Sequence, residues 1–212
     1  MLHIHEVEQK KVLVHQGAPI HFVDFPCSCV YSAILSMKDG RSVEVGTIGN
    51  EGMTSHNALL GGNVATVTQI CQVPGIGLRM EINDFRSELE SNPKFRTALS
   101  LYVQAYLAQI EQSVACNKLH SLEQRAARWL LMTHDRVRQD EFPLTQEFLA
   151  MMLGVQRPTV SLVARKFEQA GALAYNRGVM QILRRDVLEE ASCECYAASR
   201  REFERLLGMR HG

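Results

Sequence analysis

The chain has 212 residues, of which 46% are hydrophobic, and its 23 basic and 23 acidic side chains cancel. That length suits two domains with packed cores. No apolar run approaches the roughly 20 residues that span a bilayer, and the opening "MLHIHEVEQKK" lacks the apolar stretch of a secretory signal. A cytoplasmic protein without a membrane partner is expected.

Residues 1–80 read as strands, because short apolar runs alternate with polar residues and are punctuated by turns. "VYSAILSM" and "SVEVGTI" flank Lys38-Asp39-Gly40-Arg41, which predicts a hairpin with a type I′ turn. "GAPI" and "QVPGIG" mark further turns, and "NVATVTQICQV" is another alternating run. Many short strands without intervening helices predict a β-roll or jelly roll.

Near Glu81 the pattern changes. "EINDFRSELESNP" predicts a short helix ending before Pro93, and a long helix follows from about Phe95 to Asn117. Leu99, Val103, Tyr106, Ile110, Val114 and Asn117 fall on one stripe of it. Leu101, Tyr102 and Leu107 form a second stripe expected to face the strands. A helix apolar on two sides needs two partners. A second copy of the chain is the simple source of one, giving a parallel homodimer, and the alternative buries both faces within one chain. "SLEQRAARWLLMTHDRV" predicts another amphipathic helix, with Leu122, Ala126, Trp129, Leu130 and Thr133 inward.

The stretch "LTQEFLAMMLGVQRPTVSLVARKFEQAGAL" then reads as two short helices around a tight turn. Thr145 is a good N-cap, Gly154 suits the sharp turn, Pro158 fits a first turn, and Gly171 ends the second helix. This spacing is that of a helix-turn-helix. On the second helix Val160, Val163, Ala164 and Phe167 would pack inward, with Arg157, Ser161 and Arg165 on the other side. A polar, long-armed, cationic row suits a helix in the major groove, where arginine can give guanine two hydrogen bonds. "ALAYNRGVMQIL" predicts a hairpin wing whose Arg177 reaches backbone phosphate. Residues 144–185 carry 6 basic and 2 acidic side chains, an excess of +4, whereas residues 1–120 carry 9 and 11. A local positive excess at the motif is what a phosphate-binding surface requires.

Six cysteines include two C-x-C pairs, Cys27/Cys29 and Cys193/Cys195. Two such pairs could supply four thiolates to one metal, but closed zinc sites use C-x₂₋₄-C spacing, so isolated reduced thiols are expected. His3, His5, His15 and His21 cluster near the start, and the "HIH" pair would share a strand face, as metal ligands need. The further glutamate and histidine of a cupin frame are missing, so exposed edge-strand histidines are expected. No metal, cofactor or catalytic constellation is predicted.

In its helix-turn-helix the sequence resembles the Crp/Fnr family of bacterial transcription regulators, and the order of elements agrees over almost the whole chain. "VEVGTIGNEGM" and "SCECY" look like a subgroup of that family. The resemblance implies an α+β chain: a β-roll sensor over 1–94 like a cyclic-nucleotide-binding domain, a dimerisation helix over 95–118, and a winged helix-turn-helix over 119–212. It implies a homodimer on a two-fold symmetric operator of double-stranded DNA, and contact with RNA polymerase. Arg157 and Ser161 match base-contacting positions, and Thr145, Gln156, Pro158, Thr159, Leu162, Arg165 and Arg177 complete the expected interface. Many members have an acidic residue and an arginine where this chain has Pro158 and Leu162, so operator preference should differ, with Leu162 able to meet a thymine methyl.

Cyclic-nucleotide members also carry a phosphate-binding arginine. Here no arginine occurs between Arg41 and Arg79, and a buried phosphate without a cation is strongly disfavoured. Glu51 and Gly52 stay as candidate contacts for an unknown small-molecule effector. Cys27 and Cys29 alone do not reproduce the iron–sulfur spacing of oxygen-sensing members. Two alternatives to a DNA-reading regulator are a sensor or interaction module without specific DNA binding and a cupin-like metalloenzyme.

Overall fold

The computed structural model describes residues 1–208, so the last four positions of the expected 119–212 segment lie outside the described residues. Strands β1 (Leu2–Val7), β2 (Val12–Val14), β3 (Phe22–Pro26), β4 (Val30–Ser36), β5 (Ser42–Ile48), β6 (Thr68–Val73) and β7 (Gly75–Glu81) come first. They form two antiparallel sheets, ordered β1-β7-β3 and β2-β6-β4-β5, and Pro74 marks the crossing between them. Val7, Val23, Tyr31, Ile48, Met53 and Cys71 fill the core of this β-roll.

The β4–β5 hairpin is present, but its turn is not type I′. Only Gly40 is left-handed (φ 84°). The Gly40 N–H donates to the Met37 carbonyl at 3.0 Å, and the Met37 N–H donates to that of Arg41 at 2.8 Å. This is a type I turn closed by a left-handed glycine, a three-residue loop that leaves Asp39 unstrained.

Helix α1 (Ile82–Ser91) leads into α2 (Pro93–Leu119), whose cap Asn92 accepts the Phe95 N–H at 3.1 Å. The two faces of α2 are distributed differently from the expectation. Leu99, Val103 and Tyr106 do not face outward; with Tyr102 they are buried in the β-roll core of their own chain. Ile110 is half-buried, Val114 is 67% exposed, and Asn117 accepts a 3.0 Å hydrogen bond from Arg125 Nε. Leu107, expected against the strands, is 48% exposed. The large tyrosines seat where glycines leave room: a Cβ at Gly52 would run into the Tyr102 ring, and one at Gly46 into the Tyr106 hydroxyl.

After α2 come α3 (Leu122–Val137), β8 (Glu141–Pro143), α4 (Gln146–Leu153), α5 (Arg157–Gln169), β9 (Leu173–Asn176) and β10 (Val179–Ile182), then α6 (Arg185–Ala191) and α7 (Glu194–Leu207). A capping box starts α3: Ser121 Oγ accepts the Gln124 N–H at 3.3 Å, and Gln124 Oε1 accepts the Ser121 N–H at 3.0 Å. The sheet β8-β10-β9 makes the wing. Helix α7 returns along α2 and adds Phe203 to the core that holds Tyr102 and Tyr106. Part of the second partner of α2 is therefore supplied within the same chain.

The four histidines near the start of the chain do not assemble. His3, His15 and His21 are exposed, while His5, half-buried rather than exposed, places Nε2 2.8 Å from Asp24 Oδ1 beside the Arg79–Asp24 ion pair. The cysteines depart from the isolated arrangement: Cys116, Cys193 and Cys195 form one buried cluster, and the Cys27/Cys29 pair lies elsewhere, in the β-roll. Among the described residues no helix is long and apolar enough to cross a membrane.

Candidate nucleic-acid interface

The helix-turn-helix is built on local chemistry. Thr145 Oγ1 accepts the Phe148 N–H at 3.1 Å and fixes the start of α4. Gly154 ends it in the left-handed region (φ 66°), where its N–H closes back on the Met151 carbonyl at 3.1 Å. Gln156 then caps α5, with Arg157 and Pro158 in the first turn. Val160 and Phe167 are buried in one cluster with Phe148, Leu149 and Met152, and Ala164 between them is buried too, so the helix can present only its opposite side to a ligand.

That side carries Gln156, Arg157, Pro158, Thr159, Leu162 and Arg165, all exposed. Leu162 is 62% exposed, an apolar patch within a polar surface. Arg177 is exposed at the wing tip in the left-handed region (φ 48°). Arg157, Arg165 and Arg177 have no side-chain hydrogen bond or ion pair among the described residues. Three uncommitted guanidinium groups on one short module can donate to phosphate or to base edges.

Other expected contributors are already engaged. Ser161 is half-buried and turns toward α4, donating to Gln146 Oε1 at 2.6 Å and to the Arg157 carbonyl at 3.1 Å. Lys166 pairs with Glu123 at 2.7 Å, Arg184 with Asp186 at 2.6 Å, and Arg185 with Asp135 at 2.7 Å. The charge excess counted along the sequence therefore overstates the cationic surface. Three of its six basic residues are neutralised by carboxylates, and these, Glu123, Asp135, Asp186 and Glu189, all lie outside the counted segment. Gln146, which the sequence reading passes over, locks Ser161 and stands at the N-terminal end of α4, and its position just after the Thr145 cap is the available signal.

The expected effector position is filled by the chain itself. Glu51 accepts from Arg136 Nε at 2.7 Å and from the Gly49 N–H at 3.1 Å, and its side chain is 1% exposed. Arg136 comes from α3, donates also to Gln109 Oε1 at 3.0 Å and to the Met132 carbonyl at 2.9 Å, and lies over the Phe203 ring. Gly52 is packed beneath Tyr102. The cation that meets Glu51 is thus supplied by α3, the helix preceding the helix-turn-helix. A second link lies beside it. Trp129 Nε1–H donates to Glu44 in the β-roll, and Thr47 Oγ1 donates to the same carboxyl at 2.9 Å. Burial pushes the Glu44 carboxyl up to about 7 against those hydrogen bonds. A third link is Gln72 Nε2, which donates to Thr133 Oγ1 at 2.8 Å.

Residues 124–191 match the profile of the Crp-like helix-turn-helix domain. That segment is a Crp-like helix-turn-helix domain. Its fold agrees with solved structures of distant sequence. FixK2 from Bradyrhizobium japonicum shares 12% identity with a TM-score of 0.74, over 91% of this chain and 98% of that one. A CRP-family transcriptional regulator from Thermus thermophilus shares 15% identity with a TM-score of 0.71, over 98% of each chain. The c-di-GMP responsive global regulator CLP from Xanthomonas campestris shares 14% identity with a TM-score of 0.68, over 85% of this chain and 93% of that one. No curated protein matches the chain in sequence. The chain thus joins a Crp-like helix-turn-helix domain to an N-terminal β-roll, in the arrangement of those solved structures.

Proposed function

We propose that the chain is a transcription regulator of the Crp/Fnr type that works in the cytoplasm as a homodimer and reads a two-fold symmetric operator through α5, with the wing on the backbone. The observation that carries this is the set of uncommitted arginines, Arg157 and Arg165 on α5 and Arg177 on the wing, around the exposed Leu162. In this account Arg157 and Arg165 donate to base edges or phosphate, Leu162 meets a thymine methyl, and Arg177 neutralises phosphate. Gln156, Pro158 and Thr159 border the same surface, and Thr145 holds the start of α4 against the backbone. Ser161 contributes by fixing Gln146 rather than by reaching out alone.

Dimerisation is assigned to the lower half of α2. Leu107, Val114 and Leu119 are exposed apolar residues there, at 48%, 67% and 75%, and half-buried Ile110 adjoins them. Leu99, Val103 and Tyr106 support that helix from the β-roll side. A dimer sets the half-site spacing, and a signal that shifts α3 against the β-roll shifts that spacing. RNA polymerase is the proposed protein partner. Any small-molecule effector would have to displace or rearrange the Arg136–Glu51 pair to use Glu51.

Selection of bound sequences from a random DNA pool, with purified protein at two salt concentrations, tests the proposal. A two-fold symmetric motif is expected. Salt-sensitive retention without a motif would reduce the protein to non-specific phosphate binding and overturn it.

A further inference from the structure

At the end of α2 the chain gathers three thiols and an imidazole. Cys116 and His120 are one helical turn apart, and Cys193, 77 positions beyond Cys116, opens α7 together with Cys195. The three sulfurs and one His120 ring nitrogen all lie within 4.8 Å of one another. Cys116 Sγ is 3.5 Å from Cys193 Sγ, and Cys195 Sγ is 3.5 Å from His120 Nδ1. A zinc ion with Zn–S bonds of roughly 2.3 Å has ligand atoms about 3.8 Å apart along the edges of its tetrahedron. The side chains are already close to that spacing.

The surroundings fit the same chemistry. His120 Nε2 lies 3.2 Å from Glu194 Oε2, leaving Nδ1 directed at the sulfurs. A carboxylate on the far nitrogen is the usual means of fixing a ligating histidine's tautomer and ring orientation. Gln112 Nε2 donates to Cys195 Sγ at 3.0 Å, a bond that a metal-bound sulfur can keep. Cys193 caps α7 and Cys195 sits in its first turn, so both sulfurs lie at the positive end of a helix of 14 residues. All three cysteines are at most 4% exposed, which closes the set to solvent as structural sites require.

We infer that Cys116, His120, Cys193 and Cys195 bind one zinc-class divalent cation as a closed Cys₃His site. One ion suits four ligand atoms this close together, whereas an iron–sulfur cluster would place several atoms between them and need a wider cage. Metal binding displaces the thiol protons, so the three sulfurs enter as thiolates and three protons pass to solvent. The bond set fastens the end of the long helix to the start of α7, and thereby fixes the joint from which α3 and the winged domain depart. The spacing along the chain hides it: only the C-x-C half is local, and its partners come from a turn of a helix far upstream.

Cobalt is the probe. Full-length protein purified under reducing conditions should contain one zinc per chain. After chelation, added Co²⁺ should give thiolate charge-transfer absorption and the d–d bands of a tetrahedral site. Zinc should displace the cobalt, and Cys195→Ser should abolish the charge-transfer bands or change them. Glu194→Gln should keep the bands and weaken metal affinity about 10–100-fold, whereas Cys27→Ser should match the wild type. Because the wild-type cobalt spectrum requires no variant to fold, a folded, fully reduced wild type without these bands would overturn the assignment. So would a Cys116–Cys193 disulfide as the resting state, or bands indifferent to Cys195→Ser.

Discussion

The guanidinium of Arg136 on α3 closes on the carboxylate of Glu51 in the β-roll at 2.7 Å, with both side chains buried. The β-roll segment around Glu51 is therefore bonded to α3, the helix preceding the helix-turn-helix. Removing one partner leaves the other charged in a dry site, which costs about 3–5 kcal/mol. Glu51→Ala should lower stability by that amount in chemical denaturation. A double replacement of Glu51 and Arg136 by methionine should recover most of it. An unchanged denaturation midpoint in Glu51→Ala would contradict the pairing.

Burial holds the Glu44 carboxyl at about 7, whereas its ordinary value is 4.5. A raised carboxyl binds more protons in the folded than in the unfolded state. Its contribution is complete below pH 4.5 and is lost as pH rises toward 7, and the interval corresponds to roughly 3 kcal/mol. Glu44→Gln should remove that slope, so wild type and variant should diverge between about pH 5 and 7.5 and run parallel above it. Fluorescence of Trp129, the chain's single tryptophan and the donor to Glu44, reports the transition.

Gly52 is held by space. A side chain there would collide with Tyr102, which is fully buried and donates to the Met53 carbonyl at 3.2 Å. Gly52→Ala should cost about 1–3 kcal/mol through overpacking. Pairing it with Tyr102→Leu should restore part of the loss, and a double variant no more stable than the single one would contradict the packing account.

The cationic residues of the winged helix-turn-helix should separate sharply. Arg165→Ala should weaken operator binding by about 1–3 kcal/mol in fluorescence anisotropy. Lys166→Ala should have little effect, because that ammonium is tied to Glu123. Arg177→Ala should weaken all sequences alike and reduce the salt slope by about one. Equal losses at positions 165 and 166 would mean that the ion pairs do not sort these residues.

The helix-turn-helix was legible because its signals are local. Thr145, Gly154 and Pro158 each act within a few residues of themselves, and the structure uses all three as caps or first-turn residues. The two faces of α2 were legible as apolar but not as to which partner each meets. Tyr102 and Tyr106 are drawn inward by matching holes, and those holes are Gly52 and Gly46, far away in the β-roll sequence. Helix α7 escaped notice because its inner face is built from Cys195, Tyr196, Ser199 and Phe203, a mixture that does not register as an apolar stripe. The Arg136–Glu51 pair spans 85 positions, and no periodicity joins its ends. The linear charge count fails at Lys166 and Arg185 for the same reason, since Glu123 and Asp135 stand 43 and 50 positions upstream of the bases they pair with.

The most direct measurement is the operator motif recovered from a random DNA pool with wild type and with Arg157→Ala. Reading through α5 predicts a two-fold symmetric wild-type motif, and the same motif with one relaxed position in each half-site for the variant. An identical motif from both proteins, or none from either, would contradict the claim that α5 reads DNA through Arg157.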